Sequence, residues 1–239
     1  TPVFAIHKNG HYGKIVGKGF DTLKEYVSLV KEVKMQGGDF IKIMTTGIMD
    51  FDTDGGITGE ALRPQEVKEM VHIAHEEGFA VMCHTNGTKA VEALIEAGAD
   101  SVEHGNYMEE QTIKSLADSE LVWVPTVTVV PNMFGCGRFS DELLHKIYEK
   151  EKTNIKKGLQ YGVKMALGSD AGAYLVFHGQ GILDEYARFL ECRKEIQEES
   201  QEESQENEQG FLSVCELKAR LKAGEAEIRK KFKKIEKSY

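Results

Sequence analysis

Residues 78–105 read GFAVMCHTNGTKAVEALIEAGADSVEHG, and this stretch decides the fold. It opens with a short apolar run, Phe79 to His84, which is too brief for a helix and is typical of a buried strand. A helix is predicted from Thr88 to Ala97, where apolar residues recur at helical spacing until Gly98. A second strand, Ser101 to His104, follows. The stretch is therefore a strand, helix, strand unit in which each strand ends in a histidine.

The same alternation extends in both directions along the chain. A helix followed by a short apolar strand occurs five times, and the N-terminal residues add a sixth strand. Strict alternation predicts parallel strands joined by crossover helices, and a long series favours a barrel over an open sheet. The predicted fold class is α/β, an incomplete TIM (β/α)8 barrel with about six of its eight strands. The predicted helices are 21–36, 64–77, 88–97, 109–118 and 141–160, and the predicted strands are 3–6, 39–44, 79–84, 101–104, 121–124 and 164–168.

The chain changes character after Leu190. Residues 195–208 hold seven glutamates and no basic residue, so this segment cannot bury a core and is expected to be disordered or a solvated helix. Residues 211–239 are rich in lysine, with Leu217 and Leu221 among the residues of one apolar helix face. We predict a barrel over residues 1–190, an acidic low-complexity linker over 191–210 and a basic helical tail over 211–239.

The composition is that of a soluble globular enzyme, with 41% hydrophobic and 29% charged residues, a net charge of −9 and a pI near 5.5. This charge balance argues against a nucleic-acid-binding surface, and no apolar run approaches the roughly 20 residues of a membrane span. The four cysteines form no CxxC pair, which favours a reducing, cytoplasmic setting. Because the chain begins at Thr1, we expect a processed, trimmed or incomplete product.

Lys42 lies inside a predicted strand, between two isoleucines that would face the outer helices. Its amine is therefore expected to point into the barrel, where an unpaired ammonium would be costly. Three remedies are open: an ion pair with an acid, a depressed pKa for Schiff-base chemistry, or carbamylation by carbon dioxide into an anionic metal ligand.

Three further polar residues stand at strand ends, where an α/β barrel places its active site. His84 and His104 end neighbouring strands, and two imidazoles so placed can share a metal ion, although either could be a hydrogen-bonded structural residue. Asp170 follows the last predicted strand, where a carboxylate can bind metal and take a proton from an attacking water. Its alternative role is to cap a following turn.

Four motifs in order resemble the amidohydrolase superfamily, and more narrowly its imidazolonepropionase-like and prolidase-like branch. They are Gly-Gly-Asp-Phe-Ile-Lys42-Ile, Cys-His84-Thr-Asn-Gly, Val-Glu-His104-Gly and Leu-Gly-Ser-Asp170-Ala-Gly. The resemblance extends from about Val3 to Leu190.

The resemblance implies a site for one or two divalent metal ions, with zinc expected. In it Lys42 would be carbamylated and bridge the metals, while His84 and His104 hold one of them. Asp170 would bind the other metal and act as general base. Residues near the substrate would be His178, His11 and Tyr12.

The resemblance also implies an activity and a class of substrate. A metal-activated water would attack a carbonyl carbon, and the aspartate would pass the proton to the leaving amine. Amide bonds of dipeptides, N-acyl amino acids or related small molecules are the expected substrates.

The sequence departs from the family pattern at both ends. The family has a His-x-His pair at the end of its first barrel strand, and no His-x-His occurs in this sequence. The small N-terminal β-domain and the first two barrel strands are missing as well. A second metal would therefore keep only Asp170, and a homo-oligomer or a complementing N-terminal fragment is expected to cover the open barrel.

Two other interpretations stay open at this point. The stretch around Lys42 also looks like the reactive-lysine strand of deoxyribose-phosphate aldolase, although that interpretation leaves His84, His104 and Asp170 unexplained. The other alternative is a catalytically impaired fragment or pseudoenzyme.

Overall fold

The computed structural model describes residues 2–9, 17–203 and 212–232. Along these residues strands and helices largely alternate, and two short 3₁₀ turns, Val127–Val129 and Pro131–Met133, follow the last strand. The strands are β1 (Ala5–Lys8), β2 (Lys18–Phe20), β3 (Ile41–Met44), β4 (Val81–Thr85), β5 (Ser101–His104) and β6 (Val122–Val124). The helices are α1 (Leu23–Met35), α2 (Pro64–Glu76), α3 (Thr88–Ala97), α4 (Glu110–Ala117), α5 (Asp141–Tyr161), α6 (Gln180–Glu203) and α7 (Val214–Lys231).

The six strands form one parallel sheet in the order β2-β1-β3-β4-β5-β6. Within the described ranges this sheet does not close on itself. Helices connect the strands from β2 to β6, as the alternating sequence pattern requires. The predicted fold class, an incomplete α/β barrel, is confirmed.

The sheet differs from the prediction at both edges. Residues 164–168 form no strand but a single parallel bridge between Met165 and Trp123, because no described strand pairs with their other side. At the opposite edge lies β2, where no strand was predicted. The three residues of β2, with a glycine in the middle, are too few to show the apolar–polar alternation by which a strand is predicted. The predicted N-terminal strand is also shifted, from 3–6 to Ala5–Lys8.

Successive side chains of β3 point to opposite faces of the sheet, so that some lie in the apolar core and others at the site. Ile41 and Ile43 are fully buried in the main apolar core, and Lys42 between them lines a cavity on the other side. The outward isoleucines and inward lysine are as predicted. Register then brings the strand ends together, because Met44 pairs with His84 and Thr85 with His104.

Local signals explain where the helices begin and end. α1 starts with a capping box in which Thr22 and Glu25 each bond the other's backbone N–H. α2 begins with Pro64, and α3 ends at Gly98 in the left-handed conformation. These short turns hold each helix directly against the sheet.

The C-terminal part is helical where it is described. α6 crosses the predicted boundary at residue 190 without interruption, and Lys152 and Lys156 on α5 pair with its Glu195. α7 buries Leu217 and packs against the edge of the sheet beyond β6. The domain boundaries stay a prediction. No helix in the described ranges is long and apolar enough to cross a membrane.

Candidate functional site

A cavity of about 390 Å³ opens at the carboxyl ends of β3, β4 and β5. All four residues predicted at strand ends, Lys42, His84, His104 and Asp170, line it. Polar groups converge here because the carboxyl ends of neighbouring parallel strands lie at one edge of the sheet. The structure thus brings together the four residues singled out from the sequence, whereas the contacts inside the cavity were not predicted.

The two histidines lie ring to ring. The centroids of His84 and His104 are 4.5 Å apart, and the rings are inclined by 66°. His104 has a φ of 69°, a left-handed conformation that is unusual for a side chain other than glycine. That conformation ends β5 sharply and turns the chain at the edge of the cavity.

Each imidazole has one nitrogen engaged by the protein. Nε2 of His84 donates to the carbonyl of Gly47 at 3.0 Å, because a carbonyl can only accept. Nδ1 of His104 is 2.6 Å from the hydroxyl of Thr126. These contacts set the orientation of both rings, in the way that outer hydrogen bonds orient metal-binding histidines.

Both histidines are held in the neutral form. Burial lowers the pKa of His84 well below its usual range, and the neighbouring His104 lowers it further. Burial, with a smaller contribution from the charge of Lys42, lowers the pKa of His104 to about 3. A neutral imidazole has a lone pair on one nitrogen, which is the form that binds metal ions.

Lys42 forms an ion pair with Glu103 in β5. Its Nζ is 3.0 Å from Oε2 of Glu103, while Oε1 accepts from the hydroxyl of Ser101 at 2.7 Å. Of the three remedies expected for a buried lysine, the structure contains the ion pair with an acid. The sequence prediction overlooked Glu103, although a glutamate within a buried strand was a signal that could have found it.

Asp170 is exposed at the cavity and follows the bridge at Met165. It has a φ of 52°, and its backbone carbonyl accepts the N–H of Ala173 at 2.9 Å. Its side chain forms no hydrogen bond with any described residue, so the alternative role as a turn cap is not seen. The carboxylate remains available to a ligand.

Of the three residues predicted to lie near the substrate, the structure describes one. His178 is exposed and does not line the cavity. His11 and Tyr12 lie outside the described residues. None of these three predictions gains support from the cavity.

The rest of the wall was not predicted and is mostly apolar. Apart from Lys42, the one cation among the described lining residues is Arg138, which is exposed and stacks on Phe139 at 5.1 Å and on Tyr174 at 4.9 Å. Two polar residues, Asn106 and Glu151, lie beside His104. Further apolar lining residues are Met44, Ile48, Met49, Phe51, Val129, Met133 and Ala173.

A buried acid on α6 supports the turn that holds His104. Glu185 is fully buried and accepts the N–H groups of Val127 at 3.1 Å and Thr128 at 2.8 Å. Burial raises its pKa to about 8, although the backbone hydrogen bonds oppose the rise. The turn carries Thr126 with a φ of 54°, and so its hydroxyl reaches His104.

The side chains at the cavity could hold a metal ion only if a third ligand joined His84 and His104. Within the part of the chain that the structure describes, no three His, Cys, Asp or Glu side chains are grouped to hold a metal. His84 and His104 therefore need a third donor, and Lys42 is the nearby candidate. As an ammonium it has no lone pair, whereas a carbamate on the same nitrogen would supply oxygen ligands.

Comparisons with known proteins show the family of this chain. The sequence profile described as the Amidohydrolase family matches residues 20–198. An uncharacterized protein of Mycobacterium tuberculosis is 27% identical over 164 residues, which are 66% of this chain and 43% of that protein. Ochratoxinase of Aspergillus niger is 26% identical over 156 residues, 63% of this chain and 32% of that enzyme. This chain thus spans less than half the length of these relatives.

Solved structures show the same fold. A crystal structure of an amidohydrolase superposes with a TM-score of 0.66 at 22% identity, covering 90% of this chain and 48% of that one. A Xaa-Pro dipeptidase crystallised with bound methionine gives a TM-score of 0.64 at 24% identity, covering 79% and 50%. Both are full chains of about twice the matched length, so the open sheet described above corresponds to part of their fold.

Proposed function

Because this chain belongs to the amidohydrolase family, we propose that its cavity serves the metal-dependent hydrolysis of an amide bond in a dipeptide, an N-acyl amino acid or a related small molecule. The observation that carries the proposal is the convergence of Lys42, His84, His104 and Asp170 on one cavity. Since the chain spans less than half of its curated relatives, the activity of a whole protein is included in the proposal.

The metal ligands would be the two neutral imidazoles and carbamylated Lys42. Carbamylation joins the neutral lysine amine to the carbon of carbon dioxide and releases one proton to solvent. Zinc accepts both imidazole nitrogens and carboxylate-type oxygens. When bound, such an ion would polarise the substrate carbonyl and lower the pKa of a water molecule.

The protein's own groups supply the remaining chemistry. The carboxylate of Asp170 is free to accept a proton from the attacking water and to return it to the leaving amine. The hydroxyl of Thr126 and the carbonyl of Gly47 hold the rings of His104 and His84 in place. Apolar walls limit the access of bulk water to the cavity.

The shape and charge of the cavity support a small substrate that carries a carboxylate. A volume of about 390 Å³ is in the usual range for a small-molecule site. Arg138 forms no ion pair with any described residue, and its planar guanidinium can bind a carboxylate with two hydrogen bonds. N-acyl amino acids and dipeptides have such a carboxylate beside the amide bond.

One alternative has support from a specific observation. Lys42 forms an ion pair with Glu103 at the place where the third metal ligand would be needed. This pairing favours a catalytically impaired chain that keeps the fold without a complete metal site. The same ion pair argues against a Schiff-base aldolase, because that chemistry needs the neutral amine of Lys42.

The test is the zinc content of the purified chain after incubation with zinc and bicarbonate. We expect bound zinc in the wild type and its loss in Lys42→Ala. The matched control is Lys34→Ala, which removes a lysine that pairs with Glu77 at the surface and should leave the zinc content unchanged. Equal zinc in wild type and Lys42→Ala would refute the carbamate, and no zinc in either would favour the impaired chain.

Hydrolysis is measured separately on zinc-loaded protein with a panel of N-acetyl amino acids. Release of free amino acid that depends on Asp170 would support the proposed reaction. Asp170→Asn is the variant to compare, because it keeps the size of the side chain and removes the proton acceptor.

A further inference from the structure

Glu151 and Asn106 share one end of the cavity. Each is 7% or less exposed, and both line the main cavity together with His104. Both also line a second, smaller cavity that includes His104. Glu151 comes from α5 and Asn106 from the loop after β5, so two separate elements bring polar side chains to this end.

Polar atoms of these two side chains have no hydrogen-bond partner in the part of the chain that the structure describes. Oε2 of Glu151 is buried and has no hydrogen-bond partner among residues 2–9, 17–203 and 212–232. Over the same ranges the side-chain amide of Asn106 forms no hydrogen bond, whereas its backbone N–H donates to Asn86 and its backbone carbonyl accepts from Gly87. Buried polar groups are nearly always satisfied, so the unsatisfied Oε2 of Glu151, beside an unused amide at a cavity, points to a ligand that completes it.

No lysine of α5 neutralises Glu151, although the helix is rich in lysine. Each of its lysines pairs with another acid instead. These pairs are Lys146 with Glu142, Lys150 with Asp54, Lys152 with Glu149, Glu191 and Glu195, Lys156 with Glu195 and Glu199, and Lys157 with Glu110.

The surroundings of Glu151 favour an uncharged carboxylic acid. Burial raises the pKa of Glu151 well above its usual range, and the charge of Glu185 on α6 raises it further. In the acid form the side chain both donates and accepts hydrogen bonds. Asn106 likewise offers a donor and an acceptor, so this end of the cavity is polar and neutral.

We propose that Glu151 and Asn106 form a subsite for a neutral hydrogen-bonding group of the substrate, specifically a carboxamide. The acid O–H of Glu151 donates to the carboxamide oxygen, and the carboxamide N–H₂ finds acceptors on Glu151 and Asn106. An apolar group would leave both side chains unsatisfied, and a charged group would lose its hydration at a buried, neutral site that offers no counter-charge. The subsite rests on the proposed function, since it assigns part of the same substrate.

The experiment is calorimetric titration of the purified chain, without added metal, with four ligands of similar size. They are N-acetyl-asparagine, N-acetyl-leucine, N-acetyl-aspartate and N-acetyl-2,4-diaminobutyrate, so the side chain is a carboxamide, apolar, anionic or cationic. We expect the asparagine ligand to bind about tenfold more tightly than the other three, which is the effect of one buried hydrogen bond.

Substitutions of Glu151 test whether this residue causes the preference for the carboxamide ligand. Glu151→Gln keeps a donor and an acceptor and should keep it, whereas Glu151→Met should abolish it. Glu142→Met, on the exposed face of the same helix, is the matched control and should behave as wild type.

Several results would overturn the subsite: equal affinities in the wild type, tightest binding of the cationic ligand, a preference that survives Glu151→Met, or no binding of any ligand. Binding is measured apart from zinc content and hydrolysis. A preserved preference without hydrolysis would therefore refute only the proposed function.

Discussion

The Nζ of Lys42 lies 3.0 Å from Oε2 of Glu103, and the two side chains are only 17% and 8% exposed. Only the neutral amine of a lysine adds to carbon dioxide, so this ion pair and a carbamate are alternative states of the same residue. In the ion pair each charge satisfies the other, and carbamylation would require the two side chains to separate.

Breaking this ion pair should cost stability, whereas removing both partners should not. Lys42→Met leaves the carboxylate of Glu103 buried without its cation, and we expect the free energy of unfolding to fall by about 3 kcal/mol. The double variant Lys42→Met/Glu103→Leu should return close to the wild type, because no charge remains buried. Urea unfolding at pH 7 measures the free energy of unfolding of the single and the double variant.

The control is Lys34→Met, in an exposed pair with Glu77, which should change stability by about 0.5 kcal/mol or less. Additive effects of the two single substitutions would contradict the coupling.

Acid should destabilise the protein through its cavity histidines. The folded-state pKa of His104 is about 3 and that of His84 is also depressed, compared with about 6.5 in an unfolded chain. The unfolded state therefore binds more protons below pH 6.5, and stability falls as the pH decreases from 6.5 toward 3. Each histidine contributes up to about 1.4 kcal/mol per pH unit. Urea unfolding between pH 3 and 7 measures the free energy of unfolding. This free energy should fall less steeply toward low pH for His104→Asn than for the wild type. An unchanged slope would show that His104 is not buried in the neutral form.

Alkali should destabilise the protein through buried acids. The pKa of Glu185 is raised to about 8 from 4.5, and that of Glu151 is raised as well. The folded state therefore holds more protons than the unfolded state between about pH 4.5 and 8, and stability falls as the pH rises through this range. With the opposing histidines, stability should be greatest between about pH 4.5 and 6.5. Thermal unfolding of Glu185→Gln should show a flatter decline from pH 6.5 to 8, whereas Glu142→Gln should follow the wild type.

Glu151→Met should make the protein more stable. The substitution removes a buried oxygen that has no hydrogen-bond partner among the described residues, and it keeps the volume of the side chain, so we expect a gain of about 1 kcal/mol. Gains of this kind at ligand sites are expected when a residue is kept for binding. Differential scanning calorimetry compares the variant with Glu142→Met, which lies on the exposed face and should change little. A loss of stability would mean that Glu151 has a structural partner.

Gly224→Ala should destabilise the protein although alanine favours helices. A Cβ at Gly224 would lie 2.0 Å from the carbonyl oxygen of Met165, so the backbone of α7 rests directly on the segment beyond β6. Overpacking of this kind costs about 2 kcal/mol. Urea unfolding and limited proteolysis of α7 provide the measurement. Ala223→Gly, on the exposed side, reports helix propensity alone and should cost about 1 kcal/mol. Greater stability of Gly224→Ala would show that α7 does not pack this closely.

Most of the fold follows from local patterns in the sequence. The bounds predicted for α3 and β5, Thr88–Ala97 and Ser101–His104, are those observed. Glycine stops and apolar periodicity act within a few residues, so they can be recognised without the rest of the chain. The strand β2 could not be recognised, because its pairing with β1 and not its own three residues makes it a strand.

Glu151 lines the cavity but was not predicted, and it shows the limit of prediction from sequence. Glu151 lies on the buried stripe of α5, at helical spacing from Leu144, Ile147 and Ile155. An acid on that stripe was a signal that could have been noticed. Whether it faces another helix, a lysine or a cavity depends on what packs against α5, and that information lies in distant parts of the chain.

The sequence was sufficient to predict the alternating α/β pattern, the family and four of the residues that line the cavity. It could do so because parallel strands always bring their carboxyl ends to the same edge of a sheet. The pairing of Lys42 with Glu103, the burial that keeps both histidines neutral, and the lack of a hydrogen-bond partner for Oε2 of Glu151 among the described residues became known only from the tertiary contacts. Those properties depend on distances and desolvation between residues far apart in sequence, which no local pattern encodes.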